Sequence, residues 1–253
     1  MIRLKTDKDI EGIRRSGNIA ALIGKLLASE VKPGTILNDI DKIAKDAIEK
    51  FNARPAFLGF KPSGAGSPYP FSICTSVNET IVHGLPTDYQ LKEGDVVSVD
   101  LGVIYQKYYS DIAFTCAVGN VSPAINKLIK ATKEALDKAI SVSKVGNTLG
   151  DIGFAIEKTA TDYGFSVIKE LTGHGTGFSL HEDPTIYNFG EKGKGLKLEQ
   201  GMVLAIEPML SMGSSKIKQQ KDDSYITSDK SLSAHFEHTI AITNKGPRVL
   251  TTN

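Results

Sequence analysis

The stretch VVSVDLGVIYQKYYSDIAFTCAV, residues 96–118, decides the fold of this chain. It contains two runs rich in Val, Ile, Tyr and Phe, a composition typical of β-strands, joined near Tyr105 and Gln106. Asp100 and Asp111 each lie among apolar neighbours in one run. In a hairpin centred between residues 105 and 106 the two carboxylates are predicted to lie directly opposite each other and to repel, unless a divalent cation lies between them. The alternative is a surface hairpin with two solvated Asp side chains.

Composition restricts the class of protein. The 253 residues carry a net charge of +1 with scattered Lys and Arg, which gives no indication of a nucleic-acid partner. Cys74 and Cys116 are the only cysteines, too few for a disulfide framework and consistent with a reducing cytoplasm. The N-terminus lacks the apolar core of a signal peptide, and no run of about 18 apolar residues predicts a membrane span. We therefore expect a cytoplasmic α+β or α/β protein.

Hydrophobic periodicity predicts helices and strands along the chain. Thr6 and Thr148 are typical helix N-caps, and Gly164 is a typical helix end. Helices are expected from residue 7, over about 38–51 and 122–141, and from 148 to 164; strands are expected at 72–76, 165–171, 202–210 and 235–243. The polar segment between the last two strands, about residues 211–231, is expected to be a long excursion.

A faint internal repeat indicates two similar halves. KPGTILNDI at residues 32–40 aligns with KVGNTLGDI at residues 144–152, and each copy lies between two predicted helices. Each half ends in strands that carry two acids, Asp100 and Asp111 in the first and Glu207 and Glu237 in the second. If the repeat is real rather than a chance match, the halves are related by a pseudo-dyad and a site lies where they meet.

These four acids and one histidine predict a metal site. Each acid lies inside an apolar strand pattern, and a buried charge needs a partner. His174, flanked by glycines that allow close backbone approach, offers a nitrogen ligand. An oxygen-rich set with one imidazole fits two divalent ions, which hydrolytic sites hold roughly 3.5–4 Å apart, and suits Mn, Fe, Co or Zn.

Four further histidines surround these positions in sequence. His83 precedes the hairpin and His181 follows His174, and either side chain can donate a proton to a substrate amide or a developing oxyanion; the alternative for each is a surface histidine. His235 shares a strand face with Glu237 and is a candidate partner for a ligand, whereas His238 points to the opposite face.

The motifs NETIVHG, VSVDLG, YSDIAFT, GHGTG with HEDP, AIEPM and SLSAHFEHT resemble, in order, those of the methionine aminopeptidases. The resemblance covers nearly the whole chain and is closest to the compact type I form. It implies an α+β pita-bread fold, with an antiparallel curved sheet and two pseudo-symmetric halves covered by helices on one face, as a single catalytic domain over residues 1–253. It also implies removal of the initiator methionine from nascent proteins with small penultimate residues.

The resemblance assigns roles by position. The implied metal ligands are Asp100, Asp111, His174, Glu207 and Glu237, with Asp111 and Glu237 bridging both ions. Glu207 would also accept a proton from the attacking water, His83 would contact the amine or leaving nitrogen, and His181 would hold the scissile carbonyl. Tyr69 and Cys74 would line the methionine pocket; Asn78, Thr80 and Ser233 match a monovalent-cation site of some members. The partners implied are peptide or nascent-chain N-termini, with ribosome contact and a monomeric state expected.

The chain departs from the common pattern around the pocket. Leu180 stands where an aromatic residue is frequent, and Phe57 where a Cys is often found. There is no Trp, although one is common near the position of Asp223, and the loop KPSGAGSPYP at residues 61–70 is longer than usual. These departures predict a broader preference for the first residue, including Leu. Two alternatives remain: a peptidase of the same fold acting on X-Pro substrates, and a binding protein without catalysis.

Overall fold

The computed structural model describes residues 2–61 and 67–252, so the predicted long loop at residues 61–70 lies partly outside the described residues. The helices are α1 (Asp7–Glu30), α2 (Leu37–Lys50), α3 (Pro123–Val142) and α4 (Leu149–Tyr163). The strands are β1 (Arg54–Pro55), β2 (Cys74–Val77), β3 (Thr80–Val82), β4 (Val96–Tyr105), β5 (Tyr108–Ala117), β6 (Ser166–Val167), β7 (Thr172–Gly175), β8 (Glu182–Tyr187), β9 (Val203–Ile206), β10 (Met209–Ser211), β11 (Ile217–Gln219), β12 (Tyr225–Thr227), β13 (Ser233–His235), β14 (Glu237–Thr243) and β15 (Gly246–Val249).

The helix ends follow from local chemistry and lie close to the predicted ones. Thr6 and Thr148 form capping boxes with Asp9 and Asp151, in which each side chain accepts the other residue's backbone N–H. Gly164 ends α4 in the left-handed conformation, with φ of 79°. Among the described residues, no helix is long and apolar enough to cross a lipid bilayer.

A large antiparallel sheet carries the site. Its strand order is β1-β4-β5-β14-β9-β7-β8, with β2 beside β4 and β15 beside β14. Two smaller sheets, β13-β10-β6 and β11-β12-β3, flank it. The junction between β5 and β14 joins strands of the first and second halves, and its register pairs Glu237 with Ala113 and His238 with Ile112.

Side-chain alternation separates the two faces of the sheet. In β4 the odd-numbered apolar residues pack with α1 and α2 in one core cluster, and in the second half β9 and β14 pack with α3 and α4 in another. The cluster members from β4 are Val97, Val99, Leu101 and Val103. Because successive strand residues point to opposite faces, Asp100 and Asp111 lie on the face away from α1 and α2.

Matching hydrogen bonds confirm the internal repeat. Gly34 and Gly146 both have φ of 90°. Their N–H groups donate to the carbonyls of Leu91 and Leu198 at 2.8 and 3.0 Å. The N–H of each leucine in turn donates to the carbonyl of the residue that follows the corresponding glycine. Asp100 and Glu207 lie the same number of residues after these leucines and are therefore equivalent positions.

The predicted hairpin register is wrong. The structure pairs Tyr105 with Tyr108 and places Asp100 opposite Ala113, while Asp111 lies opposite Gly102. The turn is formed by residues 106 and 107, with Gln106 in the left-handed conformation at φ of 58°, which a residue other than Gly, Asn or Asp seldom adopts. Moving the centre by one residue shifts the partners by two, so the two acids are diagonal neighbours and still share a face.

The last predicted strands are interrupted at the candidate ligands. The segment 202–210 divides into β9 and β10 around Glu207 and Pro208, because proline has no N–H to donate to a ladder, and Phe236 separates β13 from β14. Of the predicted strand 165–171 only Ser166–Val167 is a strand. The predicted excursion folds back, and its β12 pairs with β3 beside His83.

Candidate metal centre

Three predicted ligands from different strands converge at the junction of the halves. Asp111, His174 and Glu237 each place a ligand atom within 4.8 Å of the others. Glu207 adjoins this group, since its Oε1 lies 3.5 Å from His174 Nε2. Asp100, on the strand next to Asp111, interacts with that carboxyl group. The structure therefore brings all five predicted residues together.

The surroundings of His174 fix its ring and its tautomer. His174 Nδ1 lies 2.9 Å from the carbonyl oxygen of Gly175. Because a carbonyl only accepts, Nδ1 carries the proton and Nε2 offers its lone pair to a metal. A Cβ at Gly173 or Gly175 would lie 2.4 or 2.1 Å from a backbone oxygen, so both glycines are needed for the close approach of the neighbouring chain.

The two halves of the chain place different residues at the position of His174 and at its equivalent in the first half. His174 pairs with Ala205 across β7 and β9. The position equivalent to Ala205 in the first half is Ser98, and it pairs with Ser76 on β2. Ser76 is therefore the counterpart of His174, and its hydroxyl accepts the N–H of Gly84 at 3.1 Å.

The four carboxylates repel one another in a buried site. Burial raises the pKa of Asp100 to about 7. Burial, reinforced by the charges of neighbouring carboxylates, raises the pKa of Asp111 and Glu237 well above their usual values, and burial does the same for Glu207. All four can be ionised together near neutral pH only with added positive charge.

The donor set fits divalent cations. Asp100 Oδ1 and Glu237 Oε1 are buried and have no hydrogen-bond partner among the described residues. Within the same part of the chain no Lys or Arg forms an ion pair with any of the four acids. Carboxylate oxygens and one imidazole nitrogen are ligands that Mn, Fe, Co and Zn accept.

Thr239 holds Asp111, and nothing in the sequence indicates this role. Its Oγ1 donates to the Asp111 carbonyl at 2.8 Å and accepts the Asp111 N–H at 2.9 Å. The hydroxyl thereby ties β14 to β5 beside the candidate ligand. A threonine in a strand has no sequence signature that would reveal this bond.

His83 and His181 lie at the rim of the centre as neutral imidazoles. Burial lowers the pKa of His181 to about 4, and burial also lowers the pKa of His83. The ring of His181 lies 4.4 Å from that of His174, edge to face, and 5.1 Å from Phe60. The ring of His83 lies 5.8 Å from Tyr225 of the excursion. Phe60 and Tyr225 were not identified from the sequence.

The two remaining histidines face opposite ways, as strand alternation predicts. His235 Nε2 lies 3.4 Å from Glu207 Oε2. His238 Nδ1 instead lies 2.8 Å from the hydroxyl of Thr251, on the other side of the sheet.

The predicted pocket residues form a small apolar cluster beside Asp100. Phe57, Cys74 and Leu180 are buried together, and Tyr69 packs against them. The other members of the cluster are Ala56, Phe60, Ile104 and Tyr109. Burial raises the pKa of the Cys74 thiol, so the pocket is uncharged. Cys74 lies directly opposite Asp100 in the ladder, which connects the pocket to the metal centre.

Oxygen atoms of the predicted monovalent-cation residues also converge. The hydroxyl of Ser233 lies 3.2 Å from the carbonyl of Asn78 and 3.0 Å from that of Thr80. Asp223 adopts a left-handed conformation in the excursion, with φ of 66°.

A buried ion pair holds the segment that leads to His181. Lys5 Nζ lies 2.8 Å from Glu182 Oε2, and the side chains are 1% and 4% exposed. Glu182 Oε1 accepts the N–H groups of Phe178 and Ser179 at 2.6 and 2.9 Å. Arg3 lies 3.0 Å from the same oxygen.

The chain is similar to known proteins along nearly its whole length. The profile of metallopeptidase family M24 matches residues 11–244. The methionine aminopeptidase of Aquifex aeolicus is 46% identical, over 99% of this chain and 98% of that protein, and that of Clostridium acetobutylicum is 43% identical over 99% of each. The crystal structure of methionine aminopeptidase from Thermotoga maritima superimposes with a TM-score of 0.95 at 41% identity, over 100% of both chains. A prolidase from Pyrococcus horikoshii gives 0.78 at 25% identity and is covered over 64% of its length.

Proposed function

Because this chain belongs to metallopeptidase family M24, we propose that it is a methionine aminopeptidase, which removes the N-terminal methionine of peptides and nascent proteins by hydrolysis. The observation that carries the proposal is the buried group of carboxylates with His174, which lies next to an apolar pocket. The similarity of the whole chain to methionine aminopeptidases supports the same function. The binding protein without catalysis is disfavoured because all five implied ligands are present. One catalytic domain spanning residues 1–253 is part of the proposal.

We assign the metal to the five residues at the junction. Asp100, Asp111, His174, Glu207 and Glu237 would hold two divalent ions, with Co, Mn, Fe and Zn as candidates. When bound, such ions polarise a carbonyl and lower the pKa of a water towards about 7. Their positive charge also allows the four carboxylates to ionise together.

The protein's own groups would move the protons. Glu207 would accept the proton of the attacking water at a carboxylate oxygen and pass it to the leaving nitrogen. His181, neutral at pH 7, would donate an N–H to the scissile carbonyl, and His83 would contact the amine or the leaving nitrogen. Phe60 and Tyr225 limit the ring positions of these two histidines.

The pocket would select the first residue. Phe57, Tyr69, Cys74 and Leu180 present an apolar surface that a flexible thioether can fill. We expect a small second residue, as in the family to which the motifs are similar.

A decisive experiment measures turnover of Met-Ala-Ser by metal-loaded protein. Cleavage of Met-Ala-Ser but not of its N-acetylated form is expected, with no turnover of an Xaa-Pro dipeptide. Efficient cleavage of the Xaa-Pro dipeptide without cleavage of Met-Ala-Ser would favour the alternative of a peptidase that acts on X-Pro substrates. Glu207→Ala should lower kcat by about 10²–10⁴-fold, because general base catalysis contributes that much. Equal turnover by this variant would remove the role assigned to Glu207.

The finer expectations belong to the same proposal. A monovalent cation would bind at the oxygens of Asn78, Thr80 and Ser233, which turnover assays in K⁺, Na⁺ and a bulky organic cation would test. We also propose a cytoplasmic monomer that meets its substrates as they leave the ribosome. The free thiols of Cys74 and Cys116 fit a reducing compartment.

A further inference from the structure

His235 is a buried imidazole that has no role in the proposed reaction. Its side chain is 1% exposed. Its Nε2 is buried without a hydrogen-bond partner among the described residues. Leaving a buried polar group without a partner is destabilising, so the position of this ring beside a group of carboxylates requires a physical reason.

The backbone of His235 is fixed on both sides. Its N–H donates to Thr115 Oγ1 at 2.9 Å, and the same hydroxyl donates to its carbonyl at 2.7 Å. Across β10 and β13 it pairs with Met209, two residues beyond Glu207. The ring is therefore held close to the Glu207 carboxylate.

The two oxygens of Glu207 face two different imidazoles. Oε1 lies 3.5 Å from His174 Nε2, and Oε2 lies 3.4 Å from His235 Nε2. Because His174 Nδ1 carries the proton, its Nε2 and Oε1 of Glu207 are two acceptors facing each other, an arrangement suited to a cation. Oε2 of Glu207 can then accept a hydrogen bond, and the Nε2–H of His235 is the donor that faces it.

We propose that His235 is a positioning residue, whose Nε2–H donates to Glu207 Oε2 and orients that carboxylate towards the metals and the attacking water. This inference rests on the proposed function. The separation of 3.4 Å exceeds the usual 2.7–3.2 Å of such a bond. Catalytic hydrogen bonds commonly shorten in the working complex. Orientation of Glu207 would act on the chemical step and on metal affinity, with little effect on substrate binding.

The test uses three variants of the full-length protein. His235→Phe keeps a ring of similar size and removes the donor, and His235→Gln keeps a donor. His238→Ala is the matched control, because it removes an imidazole three residues away that contacts Thr251. Co(II) affinity by calorimetry, the visible absorption spectrum of the Co(II) protein, and kcat and KM for Met-Ala-Ser are measured for each.

His235→Phe should weaken Co(II) binding and lower kcat by about 10–100-fold, change the Co(II) spectrum and leave KM nearly unchanged, since loss of a ligand's hydrogen-bond partner has effects of this size. His235→Gln should restore most of the affinity and of kcat. His238→Ala should retain the wild-type Co(II) affinity and spectrum.

Several outcomes would overturn the proposal. Wild-type Co(II) affinity and spectrum in His235→Phe would show that the ring does not act on Glu207. Loss of one bound Co(II) per chain in both His235→Phe and His235→Gln would make His235 a direct ligand instead. If circular dichroism shows His235→Phe unfolded, the comparison of His235→Ala with His235→Gln decides in the same way. The cobalt measurements need no peptide turnover, so a wild-type protein that fails to cleave Met-Ala-Ser defeats the proposed function and leaves this test intact.

Discussion

Glu182→Gln should destabilise the protein more than Lys5→Met, although both remove the same ion pair. In Glu182→Gln the Lys5 ammonium stays buried without its counter-charge, and breaking a buried pair in this way costs about 3–5 kcal/mol. In Lys5→Met an apolar chain of similar length replaces the ammonium. Glu182 then keeps Arg3 and the N–H groups of Phe178 and Ser179, so we expect a loss of about 1–2 kcal/mol.

The double variant separates pairing from burial. Lys5→Met combined with Glu182→Gln leaves no charge in the interior at this position. It should be more stable than Glu182→Gln alone, with a coupling energy of about 1–3 kcal/mol in the thermodynamic cycle. Urea unfolding followed by circular dichroism gives each free energy of unfolding.

Activity should follow the same order. Glu182 is next to His181 in sequence and holds the turn before it, and a displacement of about 1 Å at a catalytic group can cost about 10²-fold. Glu182→Gln should therefore lower kcat/KM for Met-Ala-Ser more than Lys5→Met does. Lys158→Met is the control, because its pair with Asp162 is 58% and 59% exposed and is worth about 0.5 kcal/mol or less. Equal losses for the two single variants, or a coupling energy near zero, would refute the reasoning.

Three further outcomes are expected. Gly153→Ala should lower Tm by several degrees, because a Cβ at this position would lie 2.2 Å from the Phe189 carbonyl oxygen. Gly24→Ala is the control and should leave Tm unchanged or raise it, because its Cβ would meet Phe114 at 3.5 Å. Equal melting temperatures for the two variants would contradict the packing of the two helices. Removal of divalent metal with EDTA should lower the free energy of unfolding, and Mn(II) at 100 times its Kd should restore about 2.7 kcal/mol of it. An unchanged free energy of unfolding after chelation would count against the metal centre. Rates with Met- and Leu-amidomethylcoumarin should show measurable cleavage of Leu because of the departures around the pocket, among them Leu180, Phe57 and the absence of Trp. Strict selectivity for Met would refute this.

Local signals in the sequence predicted much of the fold. Thr6, Thr148 and Gly164 mark helix ends through contacts within a few residues, so these ends were predicted correctly. The four acids were identified because a charge within an apolar strand pattern requires compensation. The repeat was faint in sequence, and its hydrogen bonds established it.

The parts that sequence could not supply depend on unusual backbone or on distant partners. The hairpin register was missed because Gln106 adopts a conformation that its residue type does not signal. The ion pair of Lys5 with Glu182 and the bond of Thr239 to Asp111 join residues far apart in sequence, and no local pattern encodes them. The neighbours Phe60 and Tyr225 are likewise placed by tertiary packing.

The mismatch between His174 and its counterpart Ser76 has a consequence for how the centre fills. An ion beside His174 would gain an imidazole nitrogen, while an ion beside Asp100 would depend on carboxylates, since the first half has the hydroxyl of Ser76 in place of an imidazole. In the two-ion centre proposed above, we expect the two positions to differ in metal affinity and to fill in sequence, the histidine side first. At scarce metal the first ion would then be held on the side of the imidazole.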